Sequence, residues 1–211
     1  VKAIRFGLLL SLAGFLSACI GSTTYHTATP IPEGTIEIGV MPGVYGVATD
    51  GGSITVPNLE FGLRTGLTEN MDLGVRINGI TLTTDLNIAV INDPGFALSI
   101  NPAISILYLG LGDASFLWTF TTVGILADVV KTEGFTLMTG LKPGFIYLSG
   151  SVDDGDDDVS ASVNGFTMGL TVGAKFRLTK NFALMPNVDV MTPVDNFGEG
   201  IIFNAGIGLL F

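Results

Sequence analysis

"NGFTMGLTVGAKFRL", residues 164–178, decides the fold. In an extended chain Phe166, Met168, Leu170, Val172, Ala174, Phe176 and Leu178 fall on one face, and Thr167, Gly169, Thr171, Gly173, Lys175 and Arg177 on the other. This period of two means a strand, because successive Cβ atoms of extended backbone point to opposite sides. A helix would mix the two sets.

The same alternation recurs outward from this stretch. "LEFGLRTGL" (59–67) sets Leu59, Phe61, Leu63 and Leu67 against Glu60, Gly62, Arg64 and Gly66, and "MDLGVRIN" (71–78) sets Met71, Leu73, Val75 and Ile77 against Asp72, Gly74, Arg76 and Asn78. The spacing predicts strands near 34–46, 57–67, 71–79, 81–91, 95–108, 115–128, 134–148, 164–178, 182–193 and 200–211. Links alternate too: "TEN", "NDPG", "VKTEG" and "TKN" are tight, whereas 47–56, 109–114, 149–163 and 194–199 are longer, with Asn78-Gly79 the short exception. About ten strands, short turns at one end and long loops at the other describe an all-β, antiparallel, up-and-down transmembrane β-barrel; eight or twelve strands also satisfy the pattern.

Hydrophobic residues make up 47% of the chain and charged residues 13%. One face is Leu, Ile, Val and Phe almost without relief, which suits lipid, while the other is rich in glycine. Alternation alone does not say which face is inside. A soluble barrel with the faces inverted, binding a hydrophobic ligand, stays open on this ground.

The two ends add addresses. Lys2 and Arg5 precede the apolar "FGLLLSLAGFLSA", too short to span a bilayer comfortably, which reads as a signal peptide over residues 1–18. "Leu16-Ser17-Ala18-Cys19" resembles the lipobox of bacterial lipoproteins, which implies cleavage before Cys19 and acylation of its thiol. In such lipoproteins the following residue influences sorting, and Ile20 resembles the outer-membrane choice. Residues 19–33, polar with two prolines near their end, read as a lipidated tether, and 34–211 as the barrel. The final "IIFNAGIGLLF" (201–211) resembles the C-terminal signature of outer-membrane barrel proteins, where a terminal aromatic, here Phe211, is read by the barrel-assembly machinery. The resemblance implies a bacterial outer-membrane location with both termini on the periplasmic side.

With the polar face inward, Glu37, Glu60, Asp72, Asp85 and Asp189 meet Arg64, Arg76, Lys142, Lys175 and Arg177 in the lumen. If the turn pairs Leu67 with Met71, Arg64 and Asp72 become diagonal neighbours within reach of an ion pair. Charges in such an interior are disfavoured unless paired, so this set reads as an ion-pair network that closes the barrel or, alternatively, as a solute path. The inward glycines at 39, 62, 66, 74, 140, 144, 169, 173, 206 and 208 leave volume for a gap or relieve strand curvature.

Other chemistry is thin. Loss of residues 1–18 removes Lys2 and Arg5 and no acid, taking the formal charge from −10 to −12, and no basic stripe suggests nucleic acid. "DDGDDD" supplies Asp153, Asp154, Asp156, Asp157 and Asp158 in one long link, a candidate for divalent cations that bridge lipopolysaccharide, without the order of a calcium loop. No cofactor motif or metal cluster is evident. Small outer-membrane enzymes such as omptin proteases and the outer-membrane phospholipase are similar in being barrels but use histidine-containing sites; the sole histidine here, His26, is expected in the tether away from the barrel. Tyr45, Tyr108, Trp118 and Tyr147 fall near strand ends as interface anchors, Trp118 being ambiguous because both faces of its strand are apolar. The expected role is structural or interaction-based at the cell surface, in contact with lipid and lipopolysaccharide, with a narrow channel for small solutes as the alternative.

Overall fold

A computed structural model describes residues 23–49, 51–111, 114–153, 158–194 and 200–211. Ten antiparallel strands run in order: β1 Ile36–Thr49, β2 Gly52–Thr68, β3 Met71–Asn78, β4 Thr81–Asn92, β5 Ala97–Leu111, β6 Ala114–Lys131, β7 Phe135–Asp153, β8 Asp158–Thr179, β9 Phe182–Pro193 and β10 Gly200–Leu210. Each pairs with its neighbours in sequence, and β1 pairs with β10 to close the barrel. Closure removes every sheet edge, so the ladder leaves no row of unpaired N–H and C=O groups facing an apolar surrounding. The seam is held to its last residue: the Phe211 N–H donates to the Ile38 carbonyl and the Ile38 N–H to the Phe211 carbonyl, both at 2.9 Å.

The apolar faces point out. Phe166, Leu170 and Val172 are 62%, 56% and 53% exposed, and Ile38, Phe61, Leu141, Val188 and Ile207 join them around the wall. The inverted, soluble arrangement is thereby overturned, because the polar face lines the interior. Cross-strand ring pairs stiffen this belt: Phe145 meets Phe166 with centroids 5.2 Å apart, Phe135 meets Phe176 at 5.1 Å and Phe182 meets Phe211 at 5.1 Å. Tyr45, expected as an interface anchor, faces inward instead, and the ambiguity at Trp118 is decided the same way. Tyr45 and Trp118 are buried in the lumen, whereas Tyr108 is exposed and Tyr147 half-buried.

Several strands are longer than expected. The links read at 47–56 and 149–163 are mostly hairpin, with β1 reaching Thr49, β2 starting at Gly52, and β7 and β8 running 19 and 22 residues. A barrel strand needs only about 9–11 residues to cross a bilayer. The excess is a ribbon of alternating polar residues, in which Ser115 and Ser151 share a hydroxyl hydrogen bond of 2.8 Å. Asp153 pairs with Asp158 at the tip, and Asp154, Asp156 and Asp157 lie outside the described residues. The β2–β3 turn also departs by one residue: Gly66 opposes Asp72 and Arg64 opposes Gly74 as expected, but Met71 pairs with Thr68 and Leu67 bulges between.

Leu170 is mid-strand on the outer face, so Leu170→Arg is expected to lower unfolding stability in lipid vesicles by about 2–4 kcal/mol. Inward Thr171 offers the control, since Thr171→Ser removes one methyl and no exposed apolar surface. Urea titration of both variants in vesicles checks this, and equal losses would contradict an apolar exterior.

Candidate functional site

The lumen is stratified. Near the short turns Ala97, Leu126, Met138, Ala183, Met185 and Leu210 form an apolar layer; near the long links Leu107, Trp118, Phe120 and Met191 form a second, with Leu109, Phe116, Ile146, Leu148 and Ile202 packed against it. Between them lies a charged belt supplied by β2, β3, β4, β7 and β9. The alternation read from sequence places these side chains inside; the register of the closed barrel brings them together.

Arg64 is the centre of that belt. One guanidinium nitrogen donates to Asp72 and another to Asp85, in the fork geometry suited to two carboxylates. Arg76 stands 3.5 Å from Asp85 and 3.9 Å from Glu60, and Lys142 contacts Asp189 at 3.1 Å. Lys175 pairs with Glu37 at 2.6 Å, half-buried toward the short-turn rim. Arg177 is exposed and outside this set. Asp128 joins it unexpectedly: fully buried, it continues the inward phase of Trp118, Phe120, Thr122, Gly124 and Leu126, a parity that could have found it. Among the described residues the buried count is therefore five acids (Glu60, Asp72, Asp85, Asp128, Asp189) against three bases (Arg64, Arg76, Lys142), not the balance expected.

The largest departure is the segment expected to be a free tether. Residues 23–32 run inside the barrel, with Thr23, Thr24, Tyr25, His26 and Ala28 all buried. The chain reverses at Gly34, whose φ of 74° suits a residue without Cβ, and Glu33 forms a single parallel bridge to Gly66. From there it climbs away from the short turns. The Ile31 N–H donates to Asp72 at 2.8 Å, the Ala28 and Thr29 N–H groups each to an oxygen of Asp128 at 2.9 Å, and the Thr24 N–H to Asp189 at 3.2 Å. At its upper end the Thr23 hydroxyl donates to Glu60 at 2.8 Å, while Arg76 donates to the Thr23 carbonyl.

This segment explains part of the glycine stripe. A Cβ on Gly66 would collide with the Pro32 carbonyl, and one on Gly206 would collide with the Tyr25 hydroxyl. Gly74 likewise gives its space to the Arg64–Asp85 pair. At these positions the space is neither a vacant gap nor mere curvature relief: it is filled by the inner segment at Gly66 and Gly206 and by the ion pair at Gly74. What remains beside Tyr25, His26, Arg64 and Arg76 is a cavity of about 20 Å³, room for one water molecule.

His26, expected away from the barrel, sits at its centre. Its Nδ1 is 3.1 Å from the Thr27 carbonyl and its Nε2 3.6 Å from Asp85. Burial, with the Arg64 guanidinium acting in the same direction, lowers its pKa below the ordinary imidazole value, so the ring is neutral. Burial likewise raises the Tyr25 phenol. Among the described residues no group of three His, Cys, Asp or Glu side chains is placed to hold a metal ion.

The fold and the apolar exterior define the class: a closed, membrane-type β-barrel with a filled lumen. No protein-family model and no curated protein matches the chain. Among solved structures, it is similar to the outer-membrane protease OmpT from Escherichia coli, at 11% identity over 83% of this chain and 94% of that one, with a TM-score of 0.46. The translocator domain of the autotransporter NalP from Neisseria meningitidis is similar over 98% of this chain and 97% of that one, at 11% identity and a TM-score of 0.46. Neisserial surface protein A aligns over 83% and 95%, at 11% identity and a TM-score of 0.41.

Two outcomes test this arrangement. Arg64→Ala leaves Asp72 and Asp85 buried without their shared partner and is expected to cost about 3–5 kcal/mol in chemical unfolding. The second concerns pH. A released His26 takes up a proton below its ordinary value of 6.5, whereas the docked ring resists it. Docking therefore weakens as pH falls below that value, by up to about 1.4 kcal/mol per unit. Limited proteolysis of residues 23–33 should accelerate between pH 7.5 and 5.5, and His26→Gln should flatten that dependence.

Proposed function

We propose that the chain is a lipid-anchored outer-membrane barrel with a sealed lumen, serving a structural or surface-interaction role without catalysis. The observation that carries this reading is the filled interior: a polypeptide segment, three ion-paired bases and two apolar layers occupy the space a solute would need. Cys19 and the preceding Leu16-Ser17-Ala18 support acylation, and Phe211 at the end of the closure seam supports recognition by assembly machinery. Short turns at one end and long hairpins at the other support an orientation with the short turns toward the periplasm and the hairpins, joined by "DDGDDD" between β7 and β8, toward the cell surface, where those carboxylates meet lipopolysaccharide and its divalent cations.

Planar-bilayer recording of refolded residues 20–211 tests the seal. Correctly inserted wild type is expected to be silent. Sustained openings with an ion selectivity changed by Arg76→Ala would make the lumen a path for small solutes and replace this reading.

A further inference from the structure

The wall of the barrel closes without the internal segment. All ten strands are paired around the ring, and residues 23–33 add only the Glu33–Gly66 bridge to the ladder. The segment is held instead by lumen side chains, and mainly by its backbone. Four of its N–H groups reach three carboxylates on three different strands: Asp72 of β3, Asp128 of β6 and Asp189 of β9. Its carbonyls at Thr23 and Thr27 accept from Arg76 and Asn87, and the hydroxyls of Thr23, Thr24 and Thr29 donate to Glu60, Asp189 and Asp128. Backbone groups are common to every peptide. A site built this way reads an extended chain with hydroxyls at suitable positions.

The present occupant also fits incompletely. Residues 23–32 carry no charge with His26 neutral, whereas the buried wall has five carboxylates and three bases. The described hydrogen bonds to Asp128 all come from the segment, with no base among their donors. Several buried polar atoms along the contact have no hydrogen-bond partner, including Arg76 Nε and Asn204 Oδ1. The segment enters the lumen from the short-turn side, beside Gly66 of β2.

We propose that the lumen is a binding socket for extended, hydroxyl-bearing peptides of net positive charge, in which the chain's own residues 23–32 are a tethered occupant. The idea builds on the sealed-barrel reading, but its readout is binding rather than conductance. A short tether holds its occupant at an effective concentration of order millimolar, so free peptide displaces it from wild type only weakly. Ala28 offers a way around this: it is fully buried yet belongs to the segment, so Ala28→Trp loosens the occupant without altering any wall residue.

The test uses the full chain carrying Cys19→Ser, folded in detergent micelles, and two fluorescein-labelled peptides. One has the sequence of residues 23–32 and the other adds Ile31→Lys. Fluorescence anisotropy should show saturable binding of both to the Ala28→Trp barrel, the lysine peptide about tenfold more tightly through a charge-assisted contact with the wall. A Thr23→Cys, Asn204→Cys pair added to the Ala28→Trp barrel, where those side chains touch, should abolish binding of both peptides when oxidised and restore it when reduced. No saturable binding to a heat-modifiable Ala28→Trp barrel overturns the proposal, as does binding that survives oxidation or lacks preference for lysine. A barrel that conducts yet binds peptide would refute only the sealed role; a silent one that binds none would refute only the socket.

Discussion

Closure of the ladder between β1 and β10 is the constraint on which everything else here depends. A strand surrounded by lipid has no water to satisfy its backbone, so each N–H and C=O must find a partner on a neighbouring strand. Ten strands meet that demand all the way round, ending on the reciprocal Ile38–Phe211 pair. Once the ring is closed, period-two alternation sorts every side chain to lipid or lumen. The charged residues then have nowhere to go but toward one another.

The lumen solves the resulting problem by combining two devices. Arg64 bridges Asp72 and Asp85, its fork donating to both carboxylates from one cation. The remaining carboxylates are met largely by backbone N–H groups and hydroxyls of a polypeptide segment drawn inside. Such groups satisfy lone pairs without supplying charge, which is why the interior keeps an excess of acid. Glycine on the inner face makes the arrangement sterically feasible, as at Gly66 under the Pro32 carbonyl.

The interior is occupied rather than open. His26 and Asp85 lie near each other, but the imidazole is sealed in beside a cavity large enough for about one water molecule. The long hairpins β5–β6 and β7–β8 carry the chain well past the length a bilayer needs.

The sequence by itself determined the antiparallel order, the shared face of Glu60, Arg64, Asp72, Arg76, Asp85, Lys142 and Asp189, and the diagonal meeting of Arg64 with Asp72. All of these are local: a residue's parity within its strand, and a tight turn that fixes the register of one hairpin. The closed barrel set the strand number at ten and turned that face inward. Asp128 was equally legible by parity but hidden in a strand whose two faces are both apolar. What only the tertiary structure decided is the course of residues 23–33 and hence the places of His26 and Tyr25. No periodicity marks "TTYHTATPIP", because its partners lie on strands scattered from β2 to β10 and converge only when the ring closes around it. Trp118 and Tyr45 share the inward parity of their strands, but the volume they fill exists only in the assembled barrel.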